Sequence, residues 1–274
     1  MLACARLGAI HGVVFGGFAP KELANRIDNC DPKLIVTGSC GIEPNKHIPY
    51  TPIVEEALNE HCELPGAANI PRLIKQRNEL DGALRAEGLN MDVYHDYDEL
   101  MAATTKVADC AVLDSTAPSY ILYTSGTTGA PKGVVRDVGG TMVALRWATE
   151  NVYNLKRDKC TFATSDIGWI VGHSVIVYGP LLMGASSVFF EGKPITPNAG
   201  IIWEKVQQYN VNMLFMAPTG VRVLKKDDYE GDWTRKWDTS TLDGFCMAGE
   251  RCDPDTIHWL NRNLPTAMIN DTWW

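Results

Sequence analysis

The chain has 274 residues, 45% hydrophobic and 21% charged, the proportions of an ordinary globular protein. A net charge of −8 and a pI near 5.3 argue against a nucleic-acid-binding surface, so any phosphate site must be a local loop and not a basic face. No stretch has the uninterrupted apolar length of a membrane span, and the 8 cysteines include no C-x-x-C pair, so zinc and dithiol readings are weak.

The first nineteen residues are apolar enough to raise a signal peptide, but Arg6 and His11 interrupt the run and Gly16-Gly17 close it. An opening helix and a strand over 13–15 is the favoured reading. A helix over 21–28, a strand over 34–37 and a helix over 53–59 follow. Between Gly66 and Thr116 the periodicity weakens and polar residues crowd, so 66–116 reads as a surface excursion within one domain over 1–274, not as a linker.

A β-prone strand over 120–124 then feeds one loop, Tyr123-Thr124-Ser125-Gly126-Thr127-Thr128-Gly129-Ala130-Pro131-Lys132-Gly133. Glycines let the backbone turn N–H groups toward an anion. Ser125, Thr127 and Thr128 add hydroxyl donors, and Lys132 adds a mobile positive charge. Those are the needs of a polyphosphate. A Walker-type loop fails on spacing, since Lys132 follows Pro131 and precedes Gly133, and with it the reading as a nucleotide hydrolase. A G-x-S-x-G elbow fails because Tyr123 holds the first glycine position. A Ser/Gly-rich surface turn that binds nothing is the bland alternative.

Downstream, helices over 140–152, 201–209, 218–226 and 253–263 alternate with strands over 161–164, 187–190, 213–216, 245–248 and 268–270. Asp253-Pro254 is a good helix start, a cap followed by proline at the first helical position. The fold class is therefore α/β, with parallel sheets flanked by helices. Ligands of such sheets sit beyond the carboxyl ends of strands, where these motifs can meet on one rim. The thiols are expected to be reduced and mostly buried, in an intracellular compartment.

The loop resembles the phosphate-binding signature of the adenylate-forming (AMP-binding) superfamily. Residues 165–174, with Trp169, Ile170 and Val171, are similar to the acyl-pocket segment of short-chain acyl-CoA synthetases. Tyr178-Gly179-Pro180-Leu181, residues 190–194 and Ala217-Pro218-Thr219 continue the likeness, as does the opening of the chain. Ala248-Gly249-Glu250-Arg251-Cys252-Asp253 and Asp271-Thr272-Trp273-Trp274 resemble the two adenine-binding segments. The resemblance spans the chain and is nearest the propionyl-CoA synthetase branch, beside acetyl-CoA synthetase. It implies part of a larger N-terminal domain, without the small C-terminal domain that carries the adenylation lysine.

The implied chemistry joins a small carboxylate to the α-phosphate of ATP, then passes the acyl group to coenzyme A, with Mg2+ assisting. Lys132 and Thr127 would stabilise the phosphates, with Thr124, Ser125, Gly126, Thr128, Gly129 and Gly133 around them. Gly249, Glu250, Arg251, Asp271, Thr272 and Trp273 would hold adenine. Surface ion pairing is the plainer alternative for Glu250 and Arg251, and a turn role for Asp271. Trp169, Ile170, Val171, Ala248 and Trp274 would line the acyl pocket. Relatives that prefer acetate carry valine at the Ala248 position, so alanine leaves room for propionate, with butyrate or isobutyrate as alternatives. Trp169 and Trp274 could equally be core residues. Lys46 is the weak carry-over for coenzyme A, in a segment that departs from the acetyl enzymes' pattern. His173 reads as structural in preference to catalytic. No residue is assigned to a metal. The resemblance suits the mitochondrial matrix or the cytosol, and a nucleotide-binding piece without turnover is the competing reading.

Overall fold

The computed structural model describes residues 1–43, 46–77, 86–124 and 131–273, in two compact units. The first comprises Met1–Leu113 and Pro118–Arg136, the second Asp114–Ala117 and Asp137–Trp274.

The first unit runs α1 (Leu2–Leu7), β1 (His11–Gly12), α2 (Pro20–Cys30), β2 (Ile35–Gly38), β3 (Cys40–Glu43) and β4 (Lys46–Pro49), then α3 (Tyr50–Glu56), β5 (Arg72–Lys75), β6 (Tyr94–Asp96), α4 (Tyr97–Ala103), β7 (Pro118–Thr124) and β8 (Lys132–Asp137). Its sheets are β1-β7-β8, an all-parallel β2-β5-β6, and the β3-β4 antiparallel pair. The strand expected over 13–15 is instead β1, whose His11 pairs with Tyr120 and stacks on its ring at 5.5 Å. Partner register, not the local apolar run, places the strand. Residues 101–116 are exposed, and β5 and β6 lie inside 66–116 and bury Arg72, Ile74 and Tyr94.

The second unit runs α5 (Gly139–Asn151), β9 (Cys160–Ala163), α6 (Gly179–Met183), β10 (Ser186–Val188), α7 (Ile201–Tyr209), β11 (Met213–Phe215), α8 (Pro218–Asp227), α9 (Asp232–Arg235), β12 (Gly244–Met247), α10 (Pro254–Asn263) and β13 (Met268–Asp271). One five-stranded parallel sheet has the order β10-β9-β11-β12-β13. Met213, Leu214 and Phe215 are each at most 2% exposed. Successive strand residues point to opposite faces, so both faces of the centre are covered. Trp203 and Val206 of α7, Val221 and Leu224 of α8, and Trp259 and Leu260 of α10 form one core with Phe162, Leu214 and Phe245. Each such side chain, fully buried, stabilises by roughly 1.5–3 kcal/mol.

From β9 the chain steps to one side to make β10, then to the other to make β11. That reversal lies between β9 and β11, and open parallel sheets bind ligands beyond the carboxyl ends of the strands at such a point. α10 starts as its sequence predicts, with Asp253 Oδ1 accepting from the Thr256 N–H at 2.9 Å and Pro254 next. Among the described residues no helix is long and apolar enough to cross a membrane. All eight cysteines are free: Cys40, Cys246 and Cys252 are buried, Cys110 is exposed and the others are half-buried, fewer buried than expected.

Candidate functional site

In the first unit, Thr124 ends β7 and Lys132 and Gly133 open β8. Ser125, Gly126, Thr127, Thr128 and Gly129 lie outside the described residues. The base of the loop is fastened to the end of α2. The Tyr123 hydroxyl donates to Asn29 Oδ1 at 2.8 Å, and the Arg26 guanidinium lies over the Phe18 ring at 4.2 Å and the Tyr123 ring at 5.6 Å. Burial, and then the Cys30 thiol, push the Tyr123 phenol up to about 12, so it stays a donor at neutral pH. A Cβ on Gly133 would lie 3.0 Å from Ile121, 3.2 Å from Tyr123 and 3.4 Å from Asn29, so glycine lets the two limbs close together. Lys46 is exposed at the start of β4, its register partner being Glu43.

In the second unit the segments beginning at 165, 217 and 248 each follow a strand, and the one at 271 begins on the last residue of β13. After β9, Asp166 accepts from the Gly168 N–H at 2.7 Å and turns the chain, leaving Trp169 44% exposed. That exposure overturns the core alternative for Trp169. Ile170 is half-buried and Val171 buried at the start of a helix whose next turns, Gly172–Tyr178, are wound as a π-helix, a form that recurs at functional sites. A Cβ on Gly172 would overlap the Asp166 carbonyl oxygen and Ile167 Cα. His173 is fully buried, and its backbone N–H and Nδ1 both lie 3.1 Å from the Trp169 carbonyl. Burial holds its imidazole below the ordinary value. It acts on the backbone that carries Trp169, as a structural residue does.

After β12 come Ala248, 2% exposed, and Gly249, whose φ of +104° only glycine adopts readily. Among the described residues no atom beyond its chain neighbours lies within 4 Å of where a Gly249 Cβ would be, so glycine serves the turn there and leaves that side open. Glu250 does make an ion pair, but with α8. Its Oε1 accepts from the Thr219 N–H at 2.9 Å and from the Thr219 hydroxyl, and its Oε2 meets Arg222 Nη1 at 3.2 Å. The Thr219 hydroxyl, then Arg222, hold its carboxyl below the usual range. Arg222 also donates from Nε to Asp253 Oδ2 at 3.0 Å and from Nη2 to the Arg251 carbonyl at 3.2 Å. The Thr256 N–H, then Arg222, lower Asp253 to about 2.

At the end of β13, Asp271 Oδ2 accepts from the Cys252 N–H at 3.2 Å, tying the two strand ends together and replacing a simple turn role. The Thr272 N–H and hydroxyl each donate to the Met247 carbonyl at 2.7 Å. Trp273 is 96% exposed, and Trp274 lies outside the described residues. Sequence reasoning missed Arg222, whose partners lie some thirty residues on; only its place one turn into the helix after Ala217-Pro218-Thr219 could have marked it. The open backbone at Gly249 and the bare face of Trp273 fit a planar base. Among the described residues no group of three or more His, Cys, Asp or Glu is placed to hold a metal ion.

The family description "AMP-binding enzyme" matches residues 1–274. The chain is 43% identical over 275 residues to acyl-CoA synthetase short-chain family member 3, mitochondrial, of Homo sapiens, covering 100% of this chain and 39% of that protein. It is 43% identical over 276 residues to acyl-CoA synthetase short-chain family member B, mitochondrial, of Dictyostelium discoideum, covering 100% of this chain and 39% of that protein. It is 42% identical over 275 residues to propionate–CoA ligase of Escherichia coli (strain K12), covering 100% of this chain and 42% of that protein. The chain therefore spans about two fifths of the length of the curated relatives it matches.

Proposed function

The chain belongs to the AMP-binding enzyme family, and on that premise we propose that it carries the nucleotide- and carboxylate-holding part of a short-chain acid–CoA ligase. The carboxylate attacks the α-phosphate of ATP and releases pyrophosphate; the coenzyme A thiolate then displaces AMP from the acyl-adenylate and takes the acyl group. Two anions meet in the first step, so the site must neutralise charge and hold the nucleophile in line. Lys132 and the loop from Thr124 to Gly133, Thr127 included, suit the pyrophosphate side. Gly249, Glu250, Arg251, Asp271, Thr272 and Trp273 suit the base. Mg2+, when bound with the nucleotide, supplies further positive charge. Lys46 is the candidate contact for coenzyme A.

One observation supports this reading above the others. The segments holding Trp169, Thr219, Ala248 and Trp273 all follow carboxyl ends of one parallel sheet whose strand order reverses between β9 and β11.

Propionate is the favoured acid. Trp169, Ile170, Val171, Ala248 and Trp274 form the proposed pocket, and the methyl of the buried Ala248 is smaller than a valine side chain by two carbons. One methylene in an apolar pocket is worth roughly 1–3 kcal/mol, or about 10–200-fold. Acid-dependent ATP–pyrophosphate exchange by the protein carrying this chain is expected to favour propionate over acetate by at least about tenfold, and Ala248→Val to reverse the order. Equal or better kcat/KM with acetate sinks the pocket argument.

A second reading is a nucleotide-binding piece without turnover. Binding of ATP by the 274-residue chain with no pyrophosphate release would establish it. The names of two relatives point to the mitochondrion as one residence, the cytosol being the other.

A further inference from the structure

We propose that Arg222 is a positioning residue for the nucleotide site, fixing the loop between β12 and α10 so that its open backbone at Gly249 faces the base. The inference rests on the ligase reading and assigns a role to a side chain outside every segment that suggested it.

Three donors of one guanidinium reach three residues of a single loop. Nη1 meets Glu250, Nη2 donates to the Arg251 carbonyl and Nε donates to Asp253. One turn earlier on α8, the Thr219 N–H and hydroxyl hold the other oxygen of Glu250, and Arg222 Nη1 lies 3.4 Å from that hydroxyl. From β13, Asp271 holds the Cys252 N–H. Residues 250–253 are thus gripped from two neighbouring elements, while Gly249 has open space where a side chain would be. The loop is supported from the protein side and bare on the other, which is the form a binding surface takes.

The planar fork is what the geometry requires. Arginine presents several donors in fixed directions, whereas lysine offers one compact charge that cannot reach all three groups at once. These contacts are partly exposed, the arginine side chain 38% and the Glu250 and Asp253 side chains 42% each. Exposed ion pairs add little to global stability. Holding a loop within about 1 Å, by contrast, can govern binding and rate by about 10²-fold. Loss of Arg222 should therefore weaken nucleotide recognition far more than it loosens the fold.

The test compares the 274-residue chain with Arg222→Met, Arg222→Lys and Thr219→Val by equilibrium titration with ATP and with GTP, alongside thermal unfolding. Arg222→Met is expected to weaken ATP at least about tenfold, and GTP less, with Tm changed by under about 3 °C. Arg222→Lys should restore only part of the ATP affinity, and Thr219→Val should cost about threefold. Wild-type affinity and wild-type ATP-over-GTP preference in Arg222→Met overturns the role. Equal weakening of both nucleotides together with a lowered Tm also overturns it, since that is what a purely structural contact would give. Should Arg222→Met fail to fold, Thr219→Val decides: unchanged ATP affinity there counts against the clamp. A wild-type chain that binds neither nucleotide defeats the ligase reading and this inference with it, an outcome distinct from unchanged variants of a chain that binds.

Discussion

The base of the hydroxyl- and glycine-rich loop and the carboxyl ends of the second unit's sheet rest on different foundations. β7 lies in a three-stranded sheet whose β8 exposes every residue from Lys132 to Arg136. It is held to α2 by side chains: Tyr123 on Asn29, and Arg26 over Tyr123 and Phe18. β11 is the centre of a five-stranded sheet, buried on both faces, and the turn beyond its neighbour β9 packs main chain against main chain. Gly172 packs against the main chain of Asp166 and Ile167. Side chains can yield by a few tenths of an ångström, whereas main chain inside a packed unit cannot. The segment after β9 proposed to choose the acid thus stands on the stiffer platform, and the residues proposed to grip the phosphates on the more adjustable one.

Matched glycine substitutions expose that difference most sharply. Gly172→Ala would drive a methyl into backbone, and is expected to destabilise by about 3 kcal/mol, the upper end for overpacking. Gly133→Ala meets only side chains, at 3.0–3.4 Å, and alanine restricts the unfolded chain, so its net cost should be about 1 kcal/mol at most. Urea unfolding of both variants measures the gap; equal costs would break the comparison.

Within the first unit, Tyr123→Phe removes the hydroxyl that reaches Asn29 but keeps the ring beneath Arg26. The bond is partly exposed, so the expected loss is about 0.5–1 kcal/mol, again by urea unfolding. A loss several times larger would mean the loop base is as stiffly founded as the sheet edge.

The same contrast explains what could be read from the sequence. In the second unit the strands are short apolar runs between clear helix starts, so α7 falls at 201–209 as read and β9, β11 and β12 fall within a residue or so. Local signals and tertiary burial agree there. In the first unit they part. β5 opens with Arg72, inside a stretch whose crowded polar residues read as exposed. Its guanidinium is buried because Nη1 donates to the Ala68 and Ile70 carbonyls at 2.7 and 2.9 Å and the group lies over the Tyr94 ring at 5.4 Å. β1 moved to His11 because its partner, Tyr120, lies over a hundred residues away. The motif residues of the site could be named from type and order alone. Arg222 could not, because its meaning comes from α8 passing the β12–α10 loop, a fact of topology and not of spacing.

The smallest effect probes the stiff platform from within. His173 is buried in the π-helix beside the turn that carries Trp169, and burial lowers its pKa from the ordinary 6.5. The unfolded chain then binds a proton more readily than the folded one, so stability rises with pH across the interval between the two values. The stabilisation is complete above pH 6.5 and is lost as pH falls through the folded value. Glu250 and Asp253, whose pKa values are depressed from 4.5 and 3.8, weaken the fold only at lower pH, as their carboxylates take up protons. Unfolding free energy measured by urea from pH 7.5 to 5 should therefore decline below about 6.5, and His173→Phe should flatten that decline while lowering stability at pH 7.5. An unchanged slope in His173→Phe would assign the acid sensitivity elsewhere and remove the imidazole from the set of groups that hold Trp169 in place.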